Sequence, residues 1–221
     1  MIISLGGSVV TPSSIDIYAI KYFVKTLKEI DERTIVVVGG GSLARQYINT
    51  IISEKRDFEK IKHKLDDLGI LATIMNAELI SLLSNLEAVH PSKSSMKKAI
   101  SIMKKRKKTI CSGWKPGFST DYVTAYIAKQ MKEDFIINIT KVGGIFTKDP
   151  TKHLDAKLIK ELTWNEYLEM FDDSWIPGKN VPFDNSAAFL CKTSKIKVFI
   201  TNLENFEKFV KNKEMIGTLI R

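Results

Sequence analysis

The chain has 221 residues, 44% of them hydrophobic, and 34 basic residues against 25 acidic ones give it a net charge of +9. This length supports one domain with a full core, and the positive charge favours anionic partners without selecting among nucleotides, nucleic acid and acidic lipid. No apolar run approaches membrane-spanning length and no signal peptide is recognisable, so we expect a cytoplasmic protein without membrane contact; two cysteines and three scattered histidines predict neither a disulfide framework nor a metal cluster.

The chain opens with a strand, a glycine pair and a helix. Residues 1–8 (MIISLGGS) predict a short apolar strand that runs into Gly6 and Gly7. Apolar residues at helical spacing then predict an amphipathic helix over 17–30, which leads back to a second strand. Strand, crossover helix and strand form the right-handed unit of a parallel sheet, so an α/β fold is expected. The glycine pair is either a loop that lets a phosphate approach or a plain turn.

The stretch 35–45 (IVVVGGGSLAR) is the most informative part of the sequence. Its β-branched run predicts a strand covered on both faces, and the residues after it predict a helix with one buried apolar stripe, formed by Leu43, Tyr47, Ile48, Ile51 and Ile52. The three glycines between them (39–41) would let the backbone approach an anion at the helix start, with Ser42 as cap and Arg45 within reach of the same anion. A plain βα turn explains the glycines equally well, because the motif is neither a P-loop nor a dinucleotide fingerprint.

The next helix is expected over 65–83, after a charged stretch at 54–64. Its sequence is apolar on nearly all sides, which predicts a buried helix. Asp66 and Asp67 stand at its start, where acids cap helices and complement the helix dipole. Capping explains one of them, and a ligand role for Asp66, accepting hydrogen bonds from sugar hydroxyls, is the alternative.

A third loop is predicted at 113–121 (GWKPGFSTD), after a weak strand at 88–90, a short helix at 94–103 and a strand at 109–112. Its glycine, proline and hydroxyl residues indicate a shaped loop, and Ser119 or Thr120 can cap the helix that continues to Met131. The basic run at 97–108 (KKAISIMKKRKK) is expected to be a solvated helix face, since no aromatic residues are interleaved to stack on nucleic-acid bases.

A fourth loop, 140–150 (TKVGGIFTKDP), follows a buried strand at 135–139. Thr163 and Glu166 then form a capping box for a helix through Phe171, residues 176–183 are predicted to be loop, and Asp184 starts another helix. A strand at 198–201, a helix at 204–211 and a strand at 218–220 complete the pattern. Ligands in open α/β sheets bind at the carboxyl ends of the strands, so the four loops are expected to form one site.

The order and spacing of these segments resemble the amino acid kinase family, and within it the archaeal type of uridylate (UMP) kinase. The segments that carry the resemblance are SLGGSVV, VVVGGGSLARQYI, DDLGILATIMNA, KPGFSTD, TKVGGIFTKDP, NVPFDNSAA and GTLI, which together span 1–221. The resemblance implies a three-layer αβα sandwich with a mostly parallel central sheet, as one domain with an acceptor-binding half at roughly 1–133 and an ATP-binding half at roughly 134–221. It also implies a homohexamer that transfers the γ-phosphoryl group of ATP to UMP with Mg²⁺, giving UDP in pyrimidine biosynthesis, without a metal site built by the protein.

Position by position, the resemblance assigns residues to the two substrates. The ATP side comprises Gly7, Ser8, Gly41, Arg45, Thr140, Lys141, Phe146 and Asp149. The UMP side comprises Gly40, Asp66, Trp114, Lys115, Pro116, Gly117, Phe118, Ser119 and Thr120. Gly7, Arg45 and Asp184 are the implied catalytic residues, Asp184 either as an acid that organises the active centre or as a simple helix cap. Phosphoryl transfer needs positioning and charge compensation, and an ionised UMP phosphate needs no general base.

Three positions depart from the family pattern. Ser4 stands where many relatives have a lysine beside the first glycine loop, Gly143 replaces the aspartate of a VDG motif, and Phe189 replaces a lysine. Loss of cations beside the transferring phosphate would weaken transition-state stabilisation by about several kcal/mol unless Lys141 or Lys192 compensates.

These departures keep two alternatives to the UMP kinase open. One is a weakly catalytic regulator that binds UMP and ATP, and the other is a family member acting on another phosphate or carboxylate acceptor. Against the second, Leu43 and Ala44 follow the glycine loop where isopentenyl phosphate kinases place a histidine. A nucleic-acid-binding protein that uses the basic run is the third and least supported class.

Overall fold

The computed structural model of the chain describes residues 1–54, 58–171 and 181–221. The strands are β1 (Ile2–Leu5), β2 (Thr34–Val38), β3 (Ala88–Val89), β4 (Lys108–Cys111), β5 (Phe135–Ile139), β6 (Ile145–Phe146), β7 (Leu158–Ile159), β8 (Glu161–Leu162), β9 (Lys197–Thr201) and β10 (Thr218–Ile220). The helices are α1 (Gly7–Val10), α2 (Ile17–Glu29), α3 (Gly41–Glu54), α4 (Phe58–Ser84), α5 (Met96–Lys105), α6 (Thr120–Met131), α7 (Trp164–Met170), α8 (Asn185–Ser194) and α9 (Leu203–Asn212).

Eight strands form one central sheet in the order β3-β4-β2-β1-β5-β9-β10-β8. From β3 to β9 every neighbouring pair is parallel, whereas β10 runs antiparallel to β9 and β8 is parallel to β10. The register places Ile2 between Ile35 and Ile136, so the apolar runs of three strands lie side by side. Continuous apolar runs of this kind suit strands that are covered on both faces. Strands β6 and β7 form a separate antiparallel ribbon.

Helices cover both faces of the sheet. Helices α2, α4 and α9 pack on one face, against residues such as Ile3 and Val36. Helices α5, α6, α7 and α8 pack on the other face, against residues such as Ile2 and Ile35, because successive strand residues point to opposite sides. The fold is therefore the three-layer αβα sandwich with a mostly parallel central sheet that the sequence predicts.

Several helix starts follow the predicted capping chemistry. Ser119 caps α6 and Asp184 caps α8, each accepting a backbone N–H three residues on. Thr163 and Glu166 form the predicted capping box of α7. Of the predicted loop at 176–183, residues 176–180 lie outside the described residues, and 181–183 carry no helix or strand.

The stripe predicted for α3 is not a core-facing stripe. Tyr47 is 59% exposed and Ile52 is 40% exposed, so the prediction of a buried face is wrong. The reason is that α3 lies along α4 and not on the sheet. Ser42 is the second residue of α3 and does not precede it, so it is not the predicted cap; its N–H donates to the carbonyl oxygen of Thr11 at 2.9 Å.

Helix α4 differs most from its prediction. It begins at Phe58, so Asp66 and Asp67 lie inside the helix and the prediction that they cap its start is wrong. The prediction of burial on nearly all sides is also wrong, because Met75 is 61% and Leu82 is 80% exposed. By length and composition the stretch Lys60–Ser84 is apolar enough to cross a membrane, contrary to the sequence expectation, and 44% of its most apolar 18-residue window is buried in the fold.

Candidate active site

The glycine loops that follow β1 and β2 lie against each other at the carboxyl edge of the sheet. A Cβ added to Gly7 would lie 2.0 Å from the backbone nitrogen of Gly41, and one added to Gly39 would lie 2.5 Å from that of Gly7. Gly41 has a φ of +64°, and its added Cβ would meet the carbonyl oxygen of Gly7 at 2.2 Å. Thr11 joins the loops, because its hydroxyl lies 3.2 Å from the carbonyl oxygen of Gly7 and 3.4 Å from that of Gly40. Contact between the two loops therefore requires these glycines, independently of any ligand.

The second glycine loop is also fastened to α4. A Cβ on Gly40 would lie 2.8 Å from the Ala44 Cβ and 3.3 Å from the carbonyl oxygen of Gly69. The buried amide of Asn76 donates to the carbonyl oxygens of Gly39 at 2.8 Å and of Gly40 at 3.2 Å. These contacts with α4 thus fix the position of this loop relative to the sheet.

The loop at 114–120, predicted to bind the acceptor and called the acceptor loop below, contacts Asp66. The backbone N–H of Gly117 donates to Asp66 Oδ2 at 2.8 Å. Gly117 has a φ of +84°, and a Cβ added there would meet no atom within 4 Å, so the tip of the loop faces open space. Because Asp66 contacts this loop from the third turn of α4, it does not cap the helix, and its ligand role stays a prediction.

Aromatic side chains stiffen the acceptor loop. Trp114 and Phe118 stack with ring centroids 5.3 Å apart and an interplanar angle of 18°. Trp114 also packs on Tyr126 at 5.3 Å, and Phe118 packs on Tyr122 at 4.5 Å. The Lys115 ammonium lies 4.8 Å from the Trp114 ring and 5.0 Å from the Phe118 ring. Cation–π contact holds this lysine at the loop.

Asp121 is the site residue that the sequence interpretation missed. It accepts a hydrogen bond from the buried hydroxyl of Ser4 at 2.9 Å and another from the backbone N–H of Asp184 at 3.2 Å. Loss of water around the carboxylate raises the pKa of Asp121 to about 6, although both hydrogen bonds oppose the shift. The ends of β1, α6 and α8 meet at this carboxylate. Its one sequence signal is its place as the last residue of KPGFSTD.

The fourth loop explains one of the family departures. Gly143 donates its N–H to Thr140 Oγ1 at 3.1 Å and has a φ of +79°. A Cβ at Gly143 would lie 2.8 Å from the Asn202 Cβ, so this backbone has no room for the aspartate of the family pattern. Lys141 and Ser8 line a cavity of about 340 Å³ between this loop, α1 and the start of α9.

Two predicted ATP-side residues lie in the β6–β7 ribbon, one in β6 and one in the connection to β7. Phe146 is half-buried in β6. Asp149 accepts hydrogen bonds from the backbone N–H of Thr151 at 2.9 Å and from its hydroxyl at 2.7 Å, and the Thr151 hydroxyl is the first cause that holds the pKa of the Asp149 carboxyl below its usual range. Asp149 therefore stays ionised in its exposed turn.

The cations of the site are exposed. Arg45 lies one turn into α3, and Lys141 lies at the end of β5. Phe189 is 61% exposed on α8, with exposed Lys192 one turn later, whereas Ser4 is 1% exposed. The neutral Ser4 hydroxyl is thus buried at the position of the family lysine, and no lysine of the described residues replaces that charge there.

Metal-ligating groups are sparse in the described ranges 1–54, 58–171 and 181–221. No three His, Cys, Asp or Glu side chains of these ranges come together in a group that could hold a metal ion. Cys111 and Cys191 are both buried and unpaired, as predicted, and burial raises the pKa of both thiols.

Known proteins are similar to this chain in sequence. The sequence profile described as the amino acid kinase family matches residues 1–202. The uridylate kinase of Thermoplasma volcanium is 34% identical over 100% of this chain and 96% of that protein, and the uridylate kinase of Methanobrevibacter smithii is 31% identical over 100% and 98%.

Solved structures give the same result. The crystal structure of uridylate kinase from Archaeoglobus fulgidus matches with a TM-score of 0.81 and 32% identity, over 100% of this chain and 99% of that one. The isopentenyl phosphate kinase of T. acidophilum matches with a TM-score of 0.68 and 22% identity, over 100% and 99%, which is a likeness of fold alone.

Proposed function

Because the chain belongs to the amino acid kinase family, we propose that it is a nucleoside monophosphate kinase that transfers the γ-phosphoryl group of ATP to UMP, giving UDP and ADP. The activity is that named for the uridylate kinases aligned over its whole length. The observation that carries the proposal is the hydrogen bond between Gly117 and Asp66, which closes the acceptor loop against α4. The Asp66 carboxylate can accept hydrogen bonds from the sugar hydroxyls of a nucleoside monophosphate, and the glycine-loop backbone can bind its phosphate.

The two substrates divide the glycine loops between them. We assign ATP to Gly7, Ser8, Gly41, Arg45, Thr140, Lys141, Phe146 and Asp149. We assign UMP to Gly40, Asp66, Trp114, Lys115, Pro116, Gly117, Phe118, Ser119 and Thr120. Under this assignment the second glycine loop lies between donor and acceptor, with residues 1–133 forming mainly the acceptor half and 134–221 mainly the ATP half.

Charge compensation is the chemistry asked of these residues. The transferred group spreads negative charge over its oxygens, and backbone N–H groups and cations placed in advance lower the barrier. Arg45 supplies a planar cation that binds phosphate oxygens in pairs, and Lys141 supplies a second charge. Asp184 organises the centre by donating its backbone N–H to Asp121. The acceptor is an ionised phosphate oxygen, so the reaction needs no proton transfer to a protein base.

Mg²⁺ accompanies ATP in this proposal. Within the described residues no side-chain group could hold the ion alone. Mg²⁺ usually keeps several waters and is bound by substrate phosphates with one or two carboxylates. The residues that fit this mode are Asp121 and Asp184, neighbouring carboxylates at the carboxyl edge of the sheet. The ion supplies neutralisation of phosphate charge.

We also propose a homohexameric assembly in the cytoplasm, in which α4 contacts a second copy. Leu71, Met75 and Leu82 are all more than half exposed and repeat at helical spacing on the side of α4 away from the loops. A stripe of this kind on a long helix is self-complementary when two copies pair antiparallel. Light scattering tests this: the wild type should be oligomeric and Met75→Glu should dissociate, and an unchanged mass would exclude this contact.

A coupled assay of ADP formation tests the activity. With ATP and Mg²⁺, we expect turnover with UMP well above that with GMP and with isopentenyl phosphate. Background turnover with UMP, together with tight UMP and ATP binding by calorimetry, would instead support the weakly catalytic regulator that the loss of lysines at Ser4 and Phe189 favours.

A further inference from the structure

One polar face of α4 reaches the loops that we assign to the acceptor. Asn76 holds the second glycine loop, as described above, and Asp66 holds the tip of the acceptor loop. Two further groups act at the base of the acceptor loop, where β4 ends. They are Thr73, which lies on this face, and His90, which is held in place by Glu78 of the same helix.

Thr73 directly binds Gly113, the residue before the acceptor loop. Its Oγ1 accepts the backbone N–H of Gly113 at 2.8 Å and donates to the carbonyl oxygen of Ile70 at 2.6 Å. A Cβ on Gly113 would lie 3.0 Å from the same Oγ1, so loop and helix are in close contact here. Thr73 is only 6% exposed, so it acts on a ligand through the loop and not by touching it.

His90 binds the residue before Gly113. Its Nδ1 lies 3.0 Å from the hydroxyl oxygen of Ser112, and its Nε2 lies 2.8 Å from Oε1 of Glu78. Ser112 is fully buried and its hydroxyl donates to the carbonyl oxygen of Gly113 at 3.2 Å. The ring and the Ser112 hydroxyl share one hydrogen bond, and Glu78 orients the ring through Nε2.

We propose that Thr73 and His90 are positioning residues, which fix residues 112 and 113 to α4 and so set the geometry of the acceptor loop at 114–120. The inference rests on the proposed function for the identity of the acceptor. The loop is held by hydrogen bonds at two points: Asp66 binds its tip, and Thr73 and His90 bind its base. Release of the base leaves the aromatic stack of the loop intact but moves it relative to the second glycine loop, which Asn76 holds independently.

Thr73→Val keeps the shape of the side chain and removes the hydroxyl, whereas Thr73→Ser retains it. We expect Thr73→Val to raise the KM for UMP about fivefold to tenfold, the effect of one lost hydrogen bond, and to leave the KM for ATP unchanged. Thr73→Ser should restore the KM for UMP to near the wild-type value. Thr26→Val is the matched control, because the buried Thr26 hydroxyl donates within its own helix, to the carbonyl oxygen of Tyr22.

His90→Leu and His90→Asn form the second pair. An asparagine amide places a polar atom near the position of Nδ1, so His90→Asn should keep most of the affinity for UMP that His90→Leu loses. Equal rises in the KM for UMP and for ATP, in either pair, would overturn the positioning role, because a general loss of structure affects both substrates.

Amide hydrogen exchange separates this inference from the identity of the acceptor. In Thr73→Val we expect the amides of residues 113–115, 117 and 118 to exchange about fivefold to tenfold faster than in the wild type, and those of residues 39–41 to be unchanged. If the wild type fails to phosphorylate UMP, the proposed function falls and the exchange result still decides the role of Thr73. Unchanged exchange at 113–115, 117 and 118 would refute that role.

Discussion

Replacement of Asp121 by asparagine separates stability from activity in this protein. The Asp121 carboxylate accepts from the Ser4 hydroxyl and from the Asp184 backbone, but it has lost much of its water, and this raises its pKa to about 6 from an ordinary value of 3.8. An acid with a raised pKa destabilises the folded state when it is ionised. This loss in the free energy of unfolding is absent below pH 3.8, grows between pH 3.8 and 6, and is complete above pH 6.

The size of the effect follows from the shift. About two pKa units correspond to about 3 kcal/mol at pH 8, and to about half of that at pH 5, where the folded protein is mostly protonated at this site. An asparagine side chain removes the penalty and keeps the pairing, because its oxygen can accept from the Asp184 N–H and its amide can donate to Ser4. Asp121→Asn should therefore be more stable than the wild type, and more so at pH 8 than at pH 5.

Thermal unfolding at fixed protein concentration measures this difference. At about 2–4 °C per kcal/mol for a chain of this size, we expect Asp121→Asn to raise the Tm by about 6–12 °C at pH 8 and by about half of that at pH 5. Activity should fall at the same time, since the carboxylate lies in the proposed centre. Asp67→Asn, which neutralises an exposed carboxylate of α4, is the control and should move the Tm little. A variant less stable than the wild type at pH 8, or a gain in Tm that does not depend on pH, would show that the ionised Asp121 carboxylate does not destabilise the fold.

Three further substitutions probe the loops. Gly143→Asp, which restores the family aspartate, should destabilise the protein by about 1–3 kcal/mol because of the positive φ and the contact with Asn202, and an unchanged Tm would contradict this. Arg45→Ala should lower kcat by about a hundredfold, whereas Arg106→Ala, an exposed arginine paired outside the loops, should not; equal kcat values for the two variants would remove Arg45 from the mechanism. Gly41→Ala should lower the Tm more than Gly117→Ala, because both glycines have positive φ but only Gly41 lies against another backbone; similar losses would contradict the contact between the glycine loops.

The sheet and its loops could be predicted from the sequence because buried parallel strands carry a simple signal. The run 35–38 and the glycines after it mark β2 and its loop without any knowledge of the rest of the chain. The same holds for Ser119 and Asp184, whose caps depend on the next three residues only. Local chemistry therefore sufficed for the α/β pattern and for most of the loop positions, whereas the three-layer architecture came from the family resemblance.

The features of the site that could not be predicted from the sequence depend on contacts between residues distant in the chain. The sequence predicts a helix over 65–83 after the charged stretch at 54–64, but charged side chains on the solvent side of a helix are compatible with its continuation. Helix α4 therefore starts at Phe58, about two turns earlier, and Asp66 accepts from Gly117 instead of capping. Asp121 and Ser4 are 117 residues apart and only the fold joins them. The glycines at 7 and 41 suggested a ligand from their own sequence, and their contact with each other became visible only in three dimensions.

Phosphorus NMR of the reaction mixture shows directly whether UMP is the phosphoryl acceptor. With UMP, ATP and Mg²⁺, we expect the UMP phosphate signal to decline while the two phosphate signals of UDP and those of ADP appear in equal amounts, without inorganic phosphate. Release of inorganic phosphate with UMP unchanged, or spectra that do not change at all, would contradict transfer to UMP.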